Sequence, residues 1–224
     1  MNNKNILDNR DLLNYLNTQI VPQYEAFDKA HNLTHVKEVM EESLKLSHIY
    51  KADSRMCATI AAFHDLGLKI DRPMHHVHSR TLLLEDEQLT RWFSPEELLV
   101  MADAVEDHRA SAKNPPRSIY GKIVADADKN LDPIYTIRRA VQYGIAHPPG
   151  ESKEWQYERV KEHMDEKYAE GGYLKLYLPQ SSNAEKLSEL RQIIADEKRL
   201  KETFDQLYEE ENIGQEETKQ QQEF

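Results

Sequence analysis

The sequence is poor in the residues that build sheets, disulfides and membrane spans. Cys57 is its one cysteine among 224 residues. An intramolecular disulfide and a zinc–thiolate cluster are therefore both excluded. Glycine and proline number only 7 and 9, few for a sheet protein with many tight turns, and strand-like alternation is hard to find. Long apolar runs are missing as well. The opening MNNKNILDNR lacks the apolar core of a signal peptide, and no later stretch is apolar enough to cross a bilayer. The expectation is a cytoplasmic protein without a membrane partner. Positive charge is in deficit, with 29 Lys and Arg against 40 Asp and Glu and a net charge of −11. That disfavours duplex nucleic acid as a partner.

What remains is a polar, helix-forming chain with 39% hydrophobic and 31% charged residues, within the soluble globular range. Its length fits one large domain, or one domain with a helical extension. The acidic excess is uneven. Residues 1–150 hold 18 Lys and Arg against 21 Asp and Glu; residues 151–224 hold 11 against 19. One run goes the other way, with seven basic and three acidic residues from Arg109 to Arg139. It reads either as a solvated basic face or as phosphate recognition.

Helix punctuation is frequent. Ser94-Pro95-Glu96-Glu97 offers a capping serine, a proline at the first helical position and a glutamate at the third. Leu98, Leu99, Met101, Ala102 and Val105 then recur at helical spacing up to His108. Asp132-Pro133 predicts a helix that Gly144 ends, and Asp53-Ser54 predicts one that leads to His64. Val36, Val39, Met40 and Leu44 form a stripe from Thr34 to Tyr50, with His35 in its first turn. Loops are expected at 111–118 and 147–152. Beyond them come a helix of about 155–169, a break at Gly171-Gly172 and a polar helix of about 182–211. The fold class is all-α: a helical domain over 1–150, a C-terminal helical extension over 151–211 packed on it, and a disordered or frayed tail over 212–224. Leu187, Leu190, Ile193, Ile194, Leu200 and Phe204 predict a stripe that packs on its own domain. Trp155, Tyr157, Tyr168, Tyr173 and Tyr177 are expected to anchor the C-terminal helices, and Cys57 to be a small core residue.

Eight of the 10 histidines fall between residues 31 and 108. A single histidine on an apolar face is usually a core or surface residue; the constellation carries the signal. His35, the pair His64-Asp65 in AAFHDLG, the MHHVHS segment, His108 in EDH and the VADADK segment each fall on a different helix or helix end. One helix cannot surround an ion, so helical metal sites gather ligands in this way. Imidazole with carboxylate suits Mn, Fe, Ni or Zn rather than calcium.

The order His35, His64-Asp65, Asp128 resembles the H…HD…D signature of the HD-domain superfamily of metal-dependent phosphohydrolases. AAFHDLG and KIVADADK are its most specific parts, and the likeness spans roughly residues 25–145. EDHRASAKNPPRSIYGKIVADADK is similar to a bacterial subgroup whose substrates are mostly unassigned. The resemblance implies an HD-type helical bundle and a divalent transition metal held by His35, His64, Asp65 and Asp128. It also implies hydrolysis of a phosphoester of a small metabolite, a nucleotide among the candidates. Asp126 competes with Asp128 for the last position. Members that hold two metals add two histidines: here His75, His76 and His78 compete for the first, with His75 preferred, and His108 stands for the second. One ion and two ions are equally open. An acidic pair that follows the His-Asp in hydrolases of stringent-response nucleotides is replaced by Leu66-Gly67-Leu68-Lys69, which argues against that substrate. In the implied chemistry Asp65 bridges the ion and orients water, and Lys69 and Arg109 meet phosphate oxygens; Arg72 and Lys129 are placed in sequence to do the same. Competing expectations are a di-iron oxygenase on the same scaffold and a non-catalytic metal- or nucleotide-binding regulatory domain. Homodimerisation is open.

Overall fold

A computed structural model describes residues 10–28, 31–109, 114–147 and 152–222, with side chains through residue 212. Parts of both expected loops, residues 111–113 and 148–151, lie outside the described residues, as do 223–224 of the tail. The described backbone is helical and contains no strand, in line with the sparse glycine and the missing alternation. Among the described residues no helix is long and apolar enough to cross a membrane. The chain divides into two compact units: Met1–Lys129 with Tyr177–Ser181, and Asn130–Leu176 with Ser182–Phe224. The division falls ahead of the 147–152 boundary expected from the sequence. Residues 177–181, expected in the extension, belong to the first unit.

The first unit begins with α1 (residues 10–15), which passes into a π-helical turn, Leu16–Ile20, and a 3-10 turn, Val21–Ala26. Then come α2 (Leu33–Tyr50), α3 (Ser54–Phe63), a 3-10 turn (Leu66–Lys69), α4 (His75–Glu85), α5 (Pro95–Asp107) and α6 (Ile119–Ala127). Each start has a local cause. The Asn32 side chain accepts from the backbone N–H of Thr34 and of His35 and so caps α2; such a cap contributes about 1 kcal/mol. Asp53 and Ser118 cap α3 and α6 in the same way. The capping box at α5 is complete: Glu97 N–H donates to Ser94 Oγ at 3.3 Å and Ser94 N–H donates to Glu97 Oε2 at 2.8 Å.

On α2 the buried Val36, Val39, Met40, Ser43, Leu46 and Ser47 make a stripe at helical spacing. α3 differs, because every residue from Met56 to Phe63 is buried. A helix that is buried all round lies at the centre of its domain, and Ala58, Ala61 and Ala62 are small enough for neighbours to approach closely. Leu12, Leu16, Ile20, Val36, Val39, Ile60, Phe63, Leu83, Met101 and Val105 share its main core. A smaller cluster joins Leu46, Cys57 and Ile123 to Leu178. Cys57 is the small core residue expected, and burial pushes its thiol up to about 12.

The second unit holds α7 (Pro133–Ala146), α8 (Lys153–Lys167), α9 (Ser182–Ala195) and α10 (Glu197–Gln222). Leu187, Leu190, Ile193, Ile194, Leu200 and Phe204 face inward onto Ile137, Val141, Val160 and Met164. The expected stripe thus packs within its own unit. Three details differ from the sequence expectations. The single helix over 182–211 is two helices, because the Asp196 carboxylate caps the second by accepting from Arg199 N–H at 3.1 Å. Helical backbone continues through residues 212–222, where a frayed tail was expected; Glu, Lys and Gln are good helix formers even with nothing to bury. And Gly144 does not end α7, which runs on to Ala146. Its smallness serves close packing: a Cβ there would lie 2.0 Å from Gln156 Oε1, while Gln156 Nε2 donates to the Gly144 carbonyl at 2.7 Å. Of the five aromatics, Tyr157 and Tyr168 are buried in this unit, and Trp155 and Tyr173 are exposed. Tyr177 packs in the first unit.

Candidate metal centre

Five helix ends of the first unit place the histidines and aspartates. His35 lies in the first turn of α2 and His75 is the first residue of α4. His64, His108 and Asp128 each stand just past the last residue of a helix: α3, α5 and α6 respectively. A helix C-terminus carries a partial negative charge of roughly half an electron. An N-terminus carries the opposite charge, so the three C-termini and the two N-termini, of α2 and α4, largely offset one another, and the attraction for a cation comes from the Asp65 and Asp128 carboxylates.

The imidazoles are oriented by their own backbones. His64 Nδ1 lies 2.7 Å from the Ala61 carbonyl, His75 Nδ1 2.7 Å from that of Arg72, and His108 Nδ1 2.5 Å from that of Val105. A carbonyl only accepts, so each Nδ1 carries a proton and each Nε2 turns inward. A hydrogen bond on the far nitrogen that fixes tautomer and ring angle is the usual support of a metal-ligating histidine.

The inward atoms form two groups. In the first, His35 Nε2 lies 3.2 Å from His64 Nε2, 3.1 Å from Asp128 Oδ1 and 3.7 Å from Asp65 Oδ2. His64 Nε2 lies 3.2 Å from Asp65 Oδ2 and 3.5 Å from Asp128 Oδ1. In the second, Asp65 Oδ1 lies 3.5 Å from His75 Nε2 and 3.4 Å from His108 Nε2, and those two nitrogens are 3.1 Å apart. Donors about 2.1 Å from an ion lie about 3.0 Å apart in an octahedron and about 3.4 Å apart in a tetrahedron. The separations given for both groups, 3.1–3.7 Å, lie close to those edges. The cluster can therefore hold a metal ion, and the two oxygens of Asp65 serve different groups.

Electrostatics follow from the burial. His64 is 0% exposed and Asp65 is 3%. Burial opposes the charge on His64, but Asp65 and Asp128 overcome it and raise its pKa well above the ordinary value. Burial likewise works against ionised Asp65 and Asp128. His64 and His108 pull Asp65 well below the usual carboxylate range, and His35 and His64 do the same to Asp128. Both acids are thus carboxylates at neutral pH, and the proton their field holds on His64 is the one an arriving cation would displace.

Asp65 owes its position to a break in helical geometry. α3 ends at Phe63, and Asp65 has φ −109° and ψ 3°. The His-Asp pair therefore does not project from one regular helix; the turn swings the carboxylate round. The support is Tyr24, which is fully buried. Its hydroxyl donates to the Ala62 carbonyl at 3.0 Å and accepts from Asp65 N–H at 3.2 Å. Sequence reasoning missed Tyr24, since nothing in the chain signals that a tyrosine 41 residues earlier reaches this turn. On the other side Gly67 N–H donates to the buried Ser79 Oγ at 2.8 Å, bringing α4 and His75 in.

The residues left open in sequence separate clearly. Asp128, not Asp126, reaches the cluster. Asp126 is wholly buried, and its Oδ2 accepts from the backbone N–H of Tyr177 at 2.8 Å and of Leu178 at 2.7 Å. His75, not His76 or His78, joins the second group. The cations diverge too. Lys129 turns to the Ala125 carbonyl and Asp126 and lies over the Tyr177 ring, a structural placement rather than the phosphate contact expected. Lys69 donates to Gln23 Oε1 at 2.9 Å. Burial and then the Arg109 charge depress the pKa of His76, whose ring neighbours His75. Arg72 pairs with Asp28.

This division of labour predicts opposite phenotypes for neighbouring aspartates. Asp126→Ala leaves the buried Leu178 N–H and the half-buried Tyr177 N–H without their acceptor, the buried one worth about 1–3 kcal/mol and the other less. It should lower the melting temperature markedly yet leave metal binding in the folded protein intact. Asp128→Ala should do the reverse. Thermal unfolding with metal quantitation on both variants checks this, and metal loss in folded Asp126→Ala refutes it.

Residues 32–130 match the family model described as HD domain. Among curated proteins nothing matches. Among solved structures the chain is similar to a predicted HD superfamily hydrolase from an uncultured Thermotogales bacterium, with 22% identity over 72% of this chain and 90% of that one and a TM-score of 0.45.

Proposed function

We propose that this chain, whose residues 32–130 match the HD domain family model, is a metal-dependent phosphohydrolase acting on a phosphoester of a small metabolite. The observation that carries this reading is the Asp65 carboxylate, whose two oxygens face two separate sets of ligands. His35, His64, Asp65 and Asp128 would hold one divalent transition metal ion, and Asp65, His75 and His108 a second. A bound ion supplies Lewis acidity at a phosphoryl oxygen and lowers the pKa of water from 15.7 to about 7. The chain's own residues do the rest. Asp65, held by Tyr24, fixes the spacing of the two sets and orients the attacking water by accepting its hydrogen bond. His35, His64 and Asp128 hold the geometry. Arg109, beside the second set, is the cation assigned to phosphate oxygens; Lys69 takes that role only by leaving Gln23.

The test begins with metal analysis of freshly purified protein. One or two equivalents of Mn, Fe, Ni or Zn are expected. Chelation should abolish hydrolysis across a phosphoester panel, and readdition should restore it. His64→Ala should lose both metal and activity. Full metal content and full activity in that variant overturn the proposal. The shared carboxylate also fits a di-iron oxygenase; two irons in a mixed-valence state, with oxygen consumption and no phosphatase activity, select that reading.

A further inference from the structure

Arg72, Asp28 and His31 form a polar group that touches both ligand sets from outside. The His31 ring stands edge-on to His35, with centroids 5.9 Å apart and planes at 76°. The Arg72 backbone carbonyl is the acceptor that orients His75. Asp28 joins the two: its Oδ1 lies 2.9 Å from His31 Nδ1, and its Oδ2 accepts from Arg72 Nη2, which itself lies 3.5 Å from His31 Nδ1. The side chains are accessible, at 61% for Arg72, 49% for Asp28 and 26% for His31. Ile70 and Met74, two residues to either side of Arg72, are also exposed, at 54% and 45%. The turn that carries them is pinned where Met74 N–H donates to Asp71 Oδ2 at 3.2 Å.

An ion pair this exposed contributes about 0–1 kcal/mol. A guanidinium binds phosphate or carboxylate through two parallel charge-assisted hydrogen bonds, so an incoming anion can displace Asp28 at small cost. We propose that Arg72 and His31 are a subsite for a second anionic group of the substrate, with Asp28 holding the guanidinium until that group arrives. The substrate class is then an organic phosphomonoester that bears a further phosphate or carboxylate. This rests on the hydrolase reading and adds to it, since the group stands outside the metal ligands.

The probes are adenosine 3′,5′-bisphosphate and adenosine 5′-monophosphate, which differ by one phosphate. Calorimetric affinity and steady-state hydrolysis are measured for both on the metal-loaded protein. Wild type should prefer the bisphosphate. Arg72→Gln keeps the backbone carbonyl that holds His75. It should weaken bisphosphate binding and raise its KM about tenfold or more, the loss expected for a charge-assisted bond. Monophosphate affinity and kcat should stay within about twofold. Asp28→Asn removes the competitor and should tighten the bisphosphate about threefold, a gain that a merely structural role would not produce. Equal affinity of wild type for both probes, no binding of either, equal losses for both in Arg72→Gln, or no gain in Asp28→Asn overturns the subsite. If binding follows the expected pattern while neither probe is hydrolysed and the phosphoester panel is also inert, the subsite stands and the hydrolase reading falls.

Discussion

Asp65→Ala is expected to strip the centre of all metal and to lower kcat by about a thousandfold or more. Each Asp65 oxygen faces one ligand set, so one substitution disables both. Metal polarisation of a phosphoryl group supplies several kcal/mol, and at 1.36 kcal/mol per tenfold a loss of about 4 kcal/mol gives that factor. The comparison that makes this informative is His108→Ala. His108 belongs only to the second set, so its removal should cost one ion and leave the other bound. Metal quantitation on both variants, with helicity checked by circular dichroism, reads the result. Retention of a full complement by folded Asp65→Ala contradicts the shared-carboxylate arrangement. Loss of all metal from His108→Ala contradicts the independence of the two sets.

Gly67→Ala should be the most destabilising single-methyl change in the first unit. A Cβ at Gly67 would lie 2.0 Å from the His75 carbonyl oxygen, 2.7 Å from Ser79 N and 2.8 Å from His78 Cβ. Two of these are backbone atoms of α4, so the helix itself must move. Overpacking of this kind costs about 3 kcal/mol or more, a fall in melting temperature of roughly 6–12 °C for a domain of this size. The displacement acts directly on His75, so the second metal set should weaken while the first keeps its ion. Ser79→Ala separates packing from hydrogen bonding: it leaves Gly67 N–H without its acceptor but creates no clash, and should cost about 1–3 kcal/mol without moving His75. Scanning calorimetry on both variants decides. A melting point for Gly67→Ala within about a degree of wild type would falsify the close approach of α4 to this turn.

Much of the site was legible because its residue types are chemically narrow. His64-Asp65 next to small residues and the histidines at helix ends stood out as candidate ligands, the family resemblance pointed to His35 and to Asp128 over Asp126, and the structure brings these donors together. The choices left open turned on direction. Asp126 and Asp128 are two residues apart with identical chemistry, and only the return of Tyr177 and Leu178 to α6 shows that Asp126 is already used. Among His75, His76 and His78 the Arg72 carbonyl orients the first. Lys129 was legible as a cation but not as the partner of Asp126, since i,i+3 spacing fits both a solvent-facing and an inward side chain.

By itself the sequence determined that the protein is all-helical, where most helices begin, and which ligand types it carries. These depend on local chemistry: capping side chains, apolar spacing and the donor atoms of each residue. Only the tertiary structure decided how those donors are shared. That Asp65 serves two sets, that Tyr24 holds it there, that Gly67 admits α4 and that Arg72 sits against His31 are each relations between residues far apart in the chain. They are fixed by the packing of the helices and turns of the first unit on one another, and no spacing along the sequence encodes them.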